Sequence, residues 1–353
     1  MKIINLFLPV VDHFTKITLE TGRIPAGTNG PYHDIETSVR NSSHWLITFS
    51  RVYKSTGRKK YQAAAKILAD YLASPDVRPK GFTFACRTTP HKDKCNGLIG
   101  QAWAIEALCY SGRFLKKLQP SELARQVFRF HKFVPKYGLW HRREITGSDL
   151  SLDPTFNHHL WFAAAGSLLG DQIIREQVSC FLDHLDQNLT VLDNGLIFHP
   201  ITRLLPRPII SLQPKDPPSR SQVDKFIIKS IGYHAYNLYA MALLYQKFPR
   251  HSFWKSAKFS RALAYSRSTR FVNDLKNNPY AYPYNPVGFE MPLVITTFYP
   301  GSGYSKSRLS QDWLNLQIQK CYRQGSPILD RNTADPITLS ARIYELLRSG
   351  ETV

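Results

Sequence analysis

The chain is poor in acidic residues. Its 353 residues carry 26 Asp and Glu against 46 Lys and Arg, a formal net charge of +20. Such an excess favours anionic partners: an acidic glycan, a nucleic acid or a membrane surface. The cations are scattered, however, with no Lys/Arg-rich run, no zinc-finger spacing and no aromatic RNA-binding motif, which argues against nucleic acid. Long apolar runs are also missing. None approaches the roughly 20 apolar residues of a membrane span. Asp12, His13 and Lys16 interrupt the N-terminal apolar stretch too early for a signal peptide. The cysteines are few and odd in number, at 86, 95, 109, 180 and 321, with no CxxC. That usage predicts reduced thiols and a cytoplasmic location. There is no HExxH, GxGxxG, P-loop or nucleophile elbow. Neither a metal nor a cofactor is therefore expected.

A long internal repeat is present. A Gly-, aromatic- and polar-rich loop runs into a helix five times, at "YHDIETSVRNSSHW" (32–45), "HKDKCNGLIGQAW" (91–103), "DPTFNHHLW" (153–161), "KSIGYHAYN" (229–237) and "YPYNPVGFEMP" (282–292). Anchored on Asn41, Asn96, Asn157, His234 and Glu290, the steps are 55, 61, 77 and 56 residues. A period of this length implies helical hairpins whose equivalent helix starts face one place.

Periodicity predicts helices over 38–54 and 58–73, 97–112 and 120–133, 156–169 and 171–188, 233–247 and 252–267, and 286–298 and 308–323. In several pairs the first helix is apolar nearly all round and the second carries a charged face. A helix apolar on every side is buried on every side, so each pair has an inner and an outer member. A sixth inner helix is expected at 336–348, with Pro336 in its first turn. Its outer partner is missing downstream. Ile3, Phe7, Val10, Phe14 and Ile17 trace one face of an N-terminal helix that could fill the gap. The expected architecture is all-α: one alpha/alpha toroid domain over 1–353. An open solenoid would need polar capping repeats, and neither end has one. Short strand-like segments at 81–87, 138–144, 195–201 and 279–284 suggest β-hairpins at the mouth. The Pro-, Ser- and Lys-rich stretch 203–225 reads as a long loop over the site.

The inner-helix starts collect the polar chemistry. Candidate catalytic residues are Asp34, Asp93, Asp153, His158 and His234. Candidate substrate-binding residues are Arg40, Asn41, His44, Trp45, Asn96, Gln101, Trp103, Asn157, Trp161, Tyr233 and Glu290. Aromatic faces beside amides and carboxylates suit a sugar, whose C–H face stacks while its hydroxyls hydrogen-bond. Helix N-termini attract a carboxylate or phosphate. A plainer reading stands beside this one: Asp and Asn at helix starts are common caps, and His234 between tyrosines fits a buried structural histidine. Caps do not require His, Trp and Arg at the same places, however.

The stretches "NGPYHDIETSVRNSSHWLITF" (29–49), "KCNGLIGQAWAIEAL" (94–108) and "DPTFNHHLWFAA" (153–164) resemble the AglQ-like proteins of archaeal and bacterial surface-glycan gene clusters. These belong to the six-hairpin glycosidase superfamily. The resemblance implies a toroid acting on a sugar, with a hexuronic acid the expected type. Unsaturated glucuronyl hydrolases are more distantly similar. In them an Asp protonates the double bond of an unsaturated uronate, and Asp93, Asp153 and Asp34 are the matching acids here.

The leading expectation is a glycoside hydrolase acting on a uronic-acid-containing glycan, with Asp93 or Asp153 as general acid. The alternatives are a polysaccharide lyase or uronate epimerase, using His158, His234 or Tyr233 as acid and base, and a non-catalytic glycan-binding toroid. The partner is an acidic oligosaccharide or a lipid-linked glycan. Arg40, Arg87, Lys92, Lys94, Arg142, Arg143, Arg203 and Lys229 are expected to concentrate charge at the site mouth.

Overall fold

The inner helices of this chain are largely buried, and they close on one another. In a computed structural model, which describes residues 3–115, 118–205 and 220–349, the inner helices are α2 (Val39–Thr56), α4 (Gly97–Leu115), α6 (Phe156–Gly166), α8 (Arg220–Lys247) and α10 (Val287–Phe298). The sixth is broken into α12 (Pro336–Ala341) and α13 (Ile343–Ser349). Each packs against the next, and α12 and α13 return to α2, so the ring closes. The protein is an alpha/alpha toroid.

The outer layer is amphipathic. It comprises α3 (Lys59–Ala73), α5 (Leu118–Arg129), α7 (Gln172–Asp183), α9 (Ala257–Ser266) and α11 (Gly303–Cys321), each packed on its inner partner. The sixth outer position belongs to the N-terminal helix α1 (Leu8–Thr21). It packs along α3, Phe14 stacks on Trp45 of α2 at 4.5 Å, and the preceding Phe7 meets Phe289 of α10 at 5.6 Å. Its contacts thus run to the first and fifth units, which flank the sixth. Among the described residues no helix is long and apolar enough to cross a membrane.

Two expectations change. Helix α8 starts at Arg220 rather than 233, because nothing between 220 and 232 breaks it. Phe226, Ile227 and Ile231 continue its apolar face, with Phe226 against Phe198 at 5.8 Å. The expected loop 203–225 falls largely outside the described residues, which resume at 220.

Of the four strand-like segments, only 138–144 holds a named strand. It contains β2 (Leu139–Arg143), paired antiparallel with β1 (Phe133–Val134) and β3 (Asp149–Leu152). Segments 81–87 and 195–201 make only isolated bridges, Glu36 to Arg87, Thr155 to Pro200 and Val191 to Ile197. Segment 279–284 is turn, because its backbone closes on itself through Ala281 to Asn278 and Tyr284 to Ala281.

Candidate active site

The inner helices point their N-terminal ends at one cavity of about 290 Å³. Seven candidate residues converge there: Asp34, Arg40, Asn96, Trp103, Asn157, His158 and Tyr233. The wall also holds residues that the sequence did not single out as candidates: Asn29, Tyr32, Thr155, His199, Tyr236, Tyr284, Asn285 and Arg342.

The first loop builds one side. Asp335 accepts from the Thr28 and Gly30 amides at 2.7 and 3.2 Å, which ties the loop to the start of α12. This holds Asn29 in a left-handed turn at φ 57°. Its side-chain oxygen accepts from Arg40 at 2.7 Å and from Tyr284 at 2.6 Å, and its NH2 donates to Asp34 at 2.9 Å. Tyr233 donates to Tyr284 at 3.4 Å and lies 3.0 Å from the Tyr32 hydroxyl. Three tyrosines and one amide therefore form a continuous polar strip.

Two buried arginines reach the cavity from below. Arg40 lies over Trp103 at 4.3 Å and Arg342 over Tyr236 at 4.8 Å. Each is backed by acid. Arg40 bonds Glu36 at 3.2 Å, and Arg342 bonds Glu290 at 2.9 Å and Glu345 at 2.7 Å.

Burial raises Glu36 to about 7, only partly opposed by Arg40. The folded state thus holds this proton more tightly than the unfolded chain, whose ordinary value is 4.5. Its stabilising contribution is fully present below that value and is lost as pH rises through 7. The linkage is worth on the order of 3 kcal/mol. Urea unfolding between pH 4.5 and 8 should show a stability decline in the wild type that flattens in Glu36→Gln. An identical pH dependence in both proteins would refute the assignment.

The opposite wall carries a histidine–aspartate pair. His158 Nδ1 lies 2.8 Å from Asp153 Oδ2, which also accepts from Leu98 N at 3.2 Å, while Oδ1 accepts from Thr155 N at 3.0 Å. Burial opposes the Asp153 charge, but His158 and these amides outweigh it and hold the carboxylate well below its usual range. An ionised Asp153 makes His158 Nδ1 the donor and leaves Nε2 for the cavity. Gly97 makes the approach possible. At φ +58°, its added Cβ would lie 2.5 Å from Asp153 Oδ2 and 2.9 Å from His158 Nδ1.

His199 lines the same cavity, its ring 4.7 Å from Tyr233. Burial, then His158 and Lys229, push it down to about 3, so it is neutral. Its buried Nδ1 has no hydrogen-bond partner among the described residues.

At the mouth, Asp34 takes Lys92 at 2.5 Å and Arg87 at 3.5 Å. Burial raises its pKa, but the Lys92 and Asn29 bonds prevail and keep it ionised. Lys229 sits 4.7 Å from the Tyr32 ring, its pKa lowered by burial and then by Lys92. Of the eight cations expected at the mouth, Arg40, Arg87, Lys92 and Lys229 line the cavity. Arg142 bonds Asp93, Arg143 bonds Asp149 and Arg203 bonds Tyr137 O instead. Lys94 is exposed, its backbone amide bonded to Glu144.

The other candidates lie outside the cavity wall. Asp93 pairs with Arg87 at 3.1 Å and Arg142 at 2.9 Å and accepts from Gly97 N, a helix cap. Burial opposes its charge, but Arg87 leads the groups that keep it ionised. Asp153 stands behind His158. His234 is fully buried, its Nε2 3.0 Å from Ala262 O and its Nδ1 accepting from Ile197 N. Burial lowers it to about 3. Asn41 donates to Pro25 O, and Gln101 clamps Phe84 and Cys95 backbone. His44 stacks on Tyr344 at 4.4 Å, Trp45 on Phe14 and Trp161 on Tyr236 at 4.4 Å. Glu290 acts only through Arg342.

The sequence held weak signals for the residues missed. Tyr32 and Tyr284 stand inside the quoted clusters. His199 was masked because 195–201 read as a strand. Arg342 follows a broken helix start that no periodicity marks. Among the described residues no cluster of three or more His, Cys, Asp or Glu is placed to hold a metal.

No protein-family model matches the chain. Solved structures similar to it include an unsaturated glucuronyl hydrolase specific for heparin, with a TM-score of 0.62 and 11% identity over 96% of this chain and 94% of that one. A cellobiose 2-epimerase from Spirochaeta thermophila aligns with a TM-score of 0.60 and 12% identity over 98% of each chain. At that identity these share the fold alone. Archaeal glycosylation protein Q from Haloferax volcanii is 39% identical over 344 residues, 93% of this chain and 92% of that protein. The chain therefore belongs to the archaeal glycosylation protein Q family.

Proposed function

We propose that the protein catalyses proton transfer at the carbon beside the carboxylate of a hexuronate in a glycan, as an epimerase or an eliminating lyase. The observation that carries this is the Asp153–His158 pair facing a cationic cavity that also holds neutral His199. A conventional hydrolase needs a protonated carboxyl poised in the cavity. Among the described residues Asp34 is the one Asp or Glu in the wall, and Asp34, Asp93 and Asp153 are all held ionised.

In this reading, the neutral His199 ring at the cavity wall removes the C5 proton. The electron pair left on C5 delocalises into the carboxylate, where the buried arginines stabilise the added charge. His158, with Asp153 as counter-charge, then returns a proton. Delivery to the opposite face of C5 inverts it. Delivery to a leaving 4-oxygen, with a C4–C5 double bond forming, is elimination. The family's link to glycosylation supports a glycan substrate, and a cellobiose 2-epimerase shares the fold.

The test uses hyaluronan tetrasaccharide and free glucuronate in deuterium oxide. Deuterium at C5 without cleavage is the expected result for epimerisation, and an unsaturated uronate product is expected for elimination. New reducing ends without either signal would overturn the reading in favour of hydrolysis. The Michaelis constant should rise with salt, because exposed mouth charges are screened over roughly 8–10 Å at physiological ionic strength.

A further inference from the structure

All six inner helices end on the side of the ring opposite His158, and a second cavity of about 330 Å³ opens there on the axis. Cations from four of these helices line it: Arg51, Arg113, Lys247 and Arg348. A cation near a helix C-terminus is favoured by the macrodipole, but that preference is equally met by a side chain turned to solvent. Here the four share one enclosed space.

Two of them have local partners. Arg348 pairs with Glu106, and Arg51 donates to the Tyr110 hydroxyl at 2.7 Å. Arg113 and Lys247 have no ion-pair partner among the described residues, and Arg175, over Phe248 at 4.7 Å, adds a further charge beside them. Burial lowers the Lys247 pKa, and Arg113 and Arg175 lower it further, so three like charges lie close together there. Among the described residues no Asp or Glu lines this cavity, and Glu106 is paired with Arg348.

We propose that this rear cavity binds a multiply charged oxyanion of the phosphate type, at a site separate from the His158 cavity. The Arg113 guanidinium and the Lys247 ammonium at the wall, with Arg51 and Arg348 beside them, match its oxygens by charge-assisted hydrogen bonds. An anion seated there also removes the mutual repulsion of Arg113, Arg175 and Lys247.

The probes are inorganic pyrophosphate and glucose 1-phosphate, titrated calorimetrically at constant ionic strength into the full chain. Pyrophosphate should bind the wild type and lose about tenfold or more in affinity in the Arg113→Gln/Lys247→Gln double variant, equivalent to ~1.4 kcal/mol. The Lys92→Gln/Lys229→Gln variant, altered only at the front mouth, should bind it as the wild type does. Comparable binding of glucose 1-phosphate would identify an esterified phosphate as an acceptable occupant, and weak binding would restrict the site to the free anion. Absence of pyrophosphate binding, or loss of binding in the front variant alone, would overturn the proposal. Circular dichroism of both variants checks that the helices remain.

Discussion

His158→Ala should lower turnover by about 10²–10⁴-fold, the range for removal of a positioned acid or base. The protein should remain folded. His158 is partly exposed at the cavity, and its removal leaves Asp153 with the Leu98 and Thr155 amides. Asp153→Asn should be nearly as damaging to turnover, although its own atoms touch no substrate. An amide in that place can donate to Nδ1 and so hold the imidazole in the wrong tautomer. Asp153 is a positioning residue, so the variant should change the pH profile of kcat more than it changes KM.

His199→Ala should fall in the same range as His158→Ala. His234→Ala provides the contrast. It removes a ring that joins Ala262 O to Ile197 N and is not part of the cavity wall, so it should cost stability and spare turnover per folded molecule. Steady-state kinetics on hexuronate oligosaccharides, normalised to folded protein, checks all four. Retention of activity within threefold of wild type in His158→Ala would remove the histidine from the mechanism.

The contrast between His158 and His234 also shows what could be read from the sequence. The repeat placed both histidines near inner-helix starts and at one end of the ring, but His234 lies in the middle of α8. The toroid was legible because its signal is a sum over many residues: all-round apolar helices alternate with amphipathic ones. Which face each polar residue presents is set by single turns of helix and by loop geometry. His158 and His159 are neighbours, yet one faces the cavity while the other accepts no such role, its Nε2 sitting 2.9 Å from Asp153 O.

The acids were harder to place. Asp93 and Asp153 occupy equivalent positions in the repeat, and the structure sends both to the start of α4, where they meet the Gly97 and Leu98 amides. Capping was the plainer reading of both, and geometry favours it for Asp93. Charge partners decide the rest. Arg87 and Lys92 come from a loop whose path no periodicity encodes, Arg142 from β2, and they keep the carboxylates ionised. The same holds for His199 and Tyr284, which enter the cavity from irregular segments.

Arg342→Met should destabilise the protein by about 3–5 kcal/mol, the range for removing one partner of a buried ion pair. Arg342 is buried and donates to Glu345 through Nε at 3.0 Å and Nη2 at 2.7 Å, and to Glu290 at 2.9 Å. Without it, two carboxyl groups share a dry space with no cation of their own. Glu290→Gln should behave oppositely and cost no more than about 1 kcal/mol. One guanidinium serves two carboxyl groups, and burial together with Glu345 raises Glu290 well above the usual carboxylate range. That direction favours the protonated form of Glu290, whose shape and neutrality an amide reproduces. Urea unfolding at pH 7 measures both. If Arg342→Met is too unstable to isolate, Glu290→Gln still decides the matter. A loss of several kcal/mol in that variant would mean that Glu290 is ionised and that Arg342 carries two full charges. In that case its guanidinium would have little attraction left for a substrate carboxylate, and the anion-binding role in the cavity would pass to Lys229 and Lys92 at the mouth.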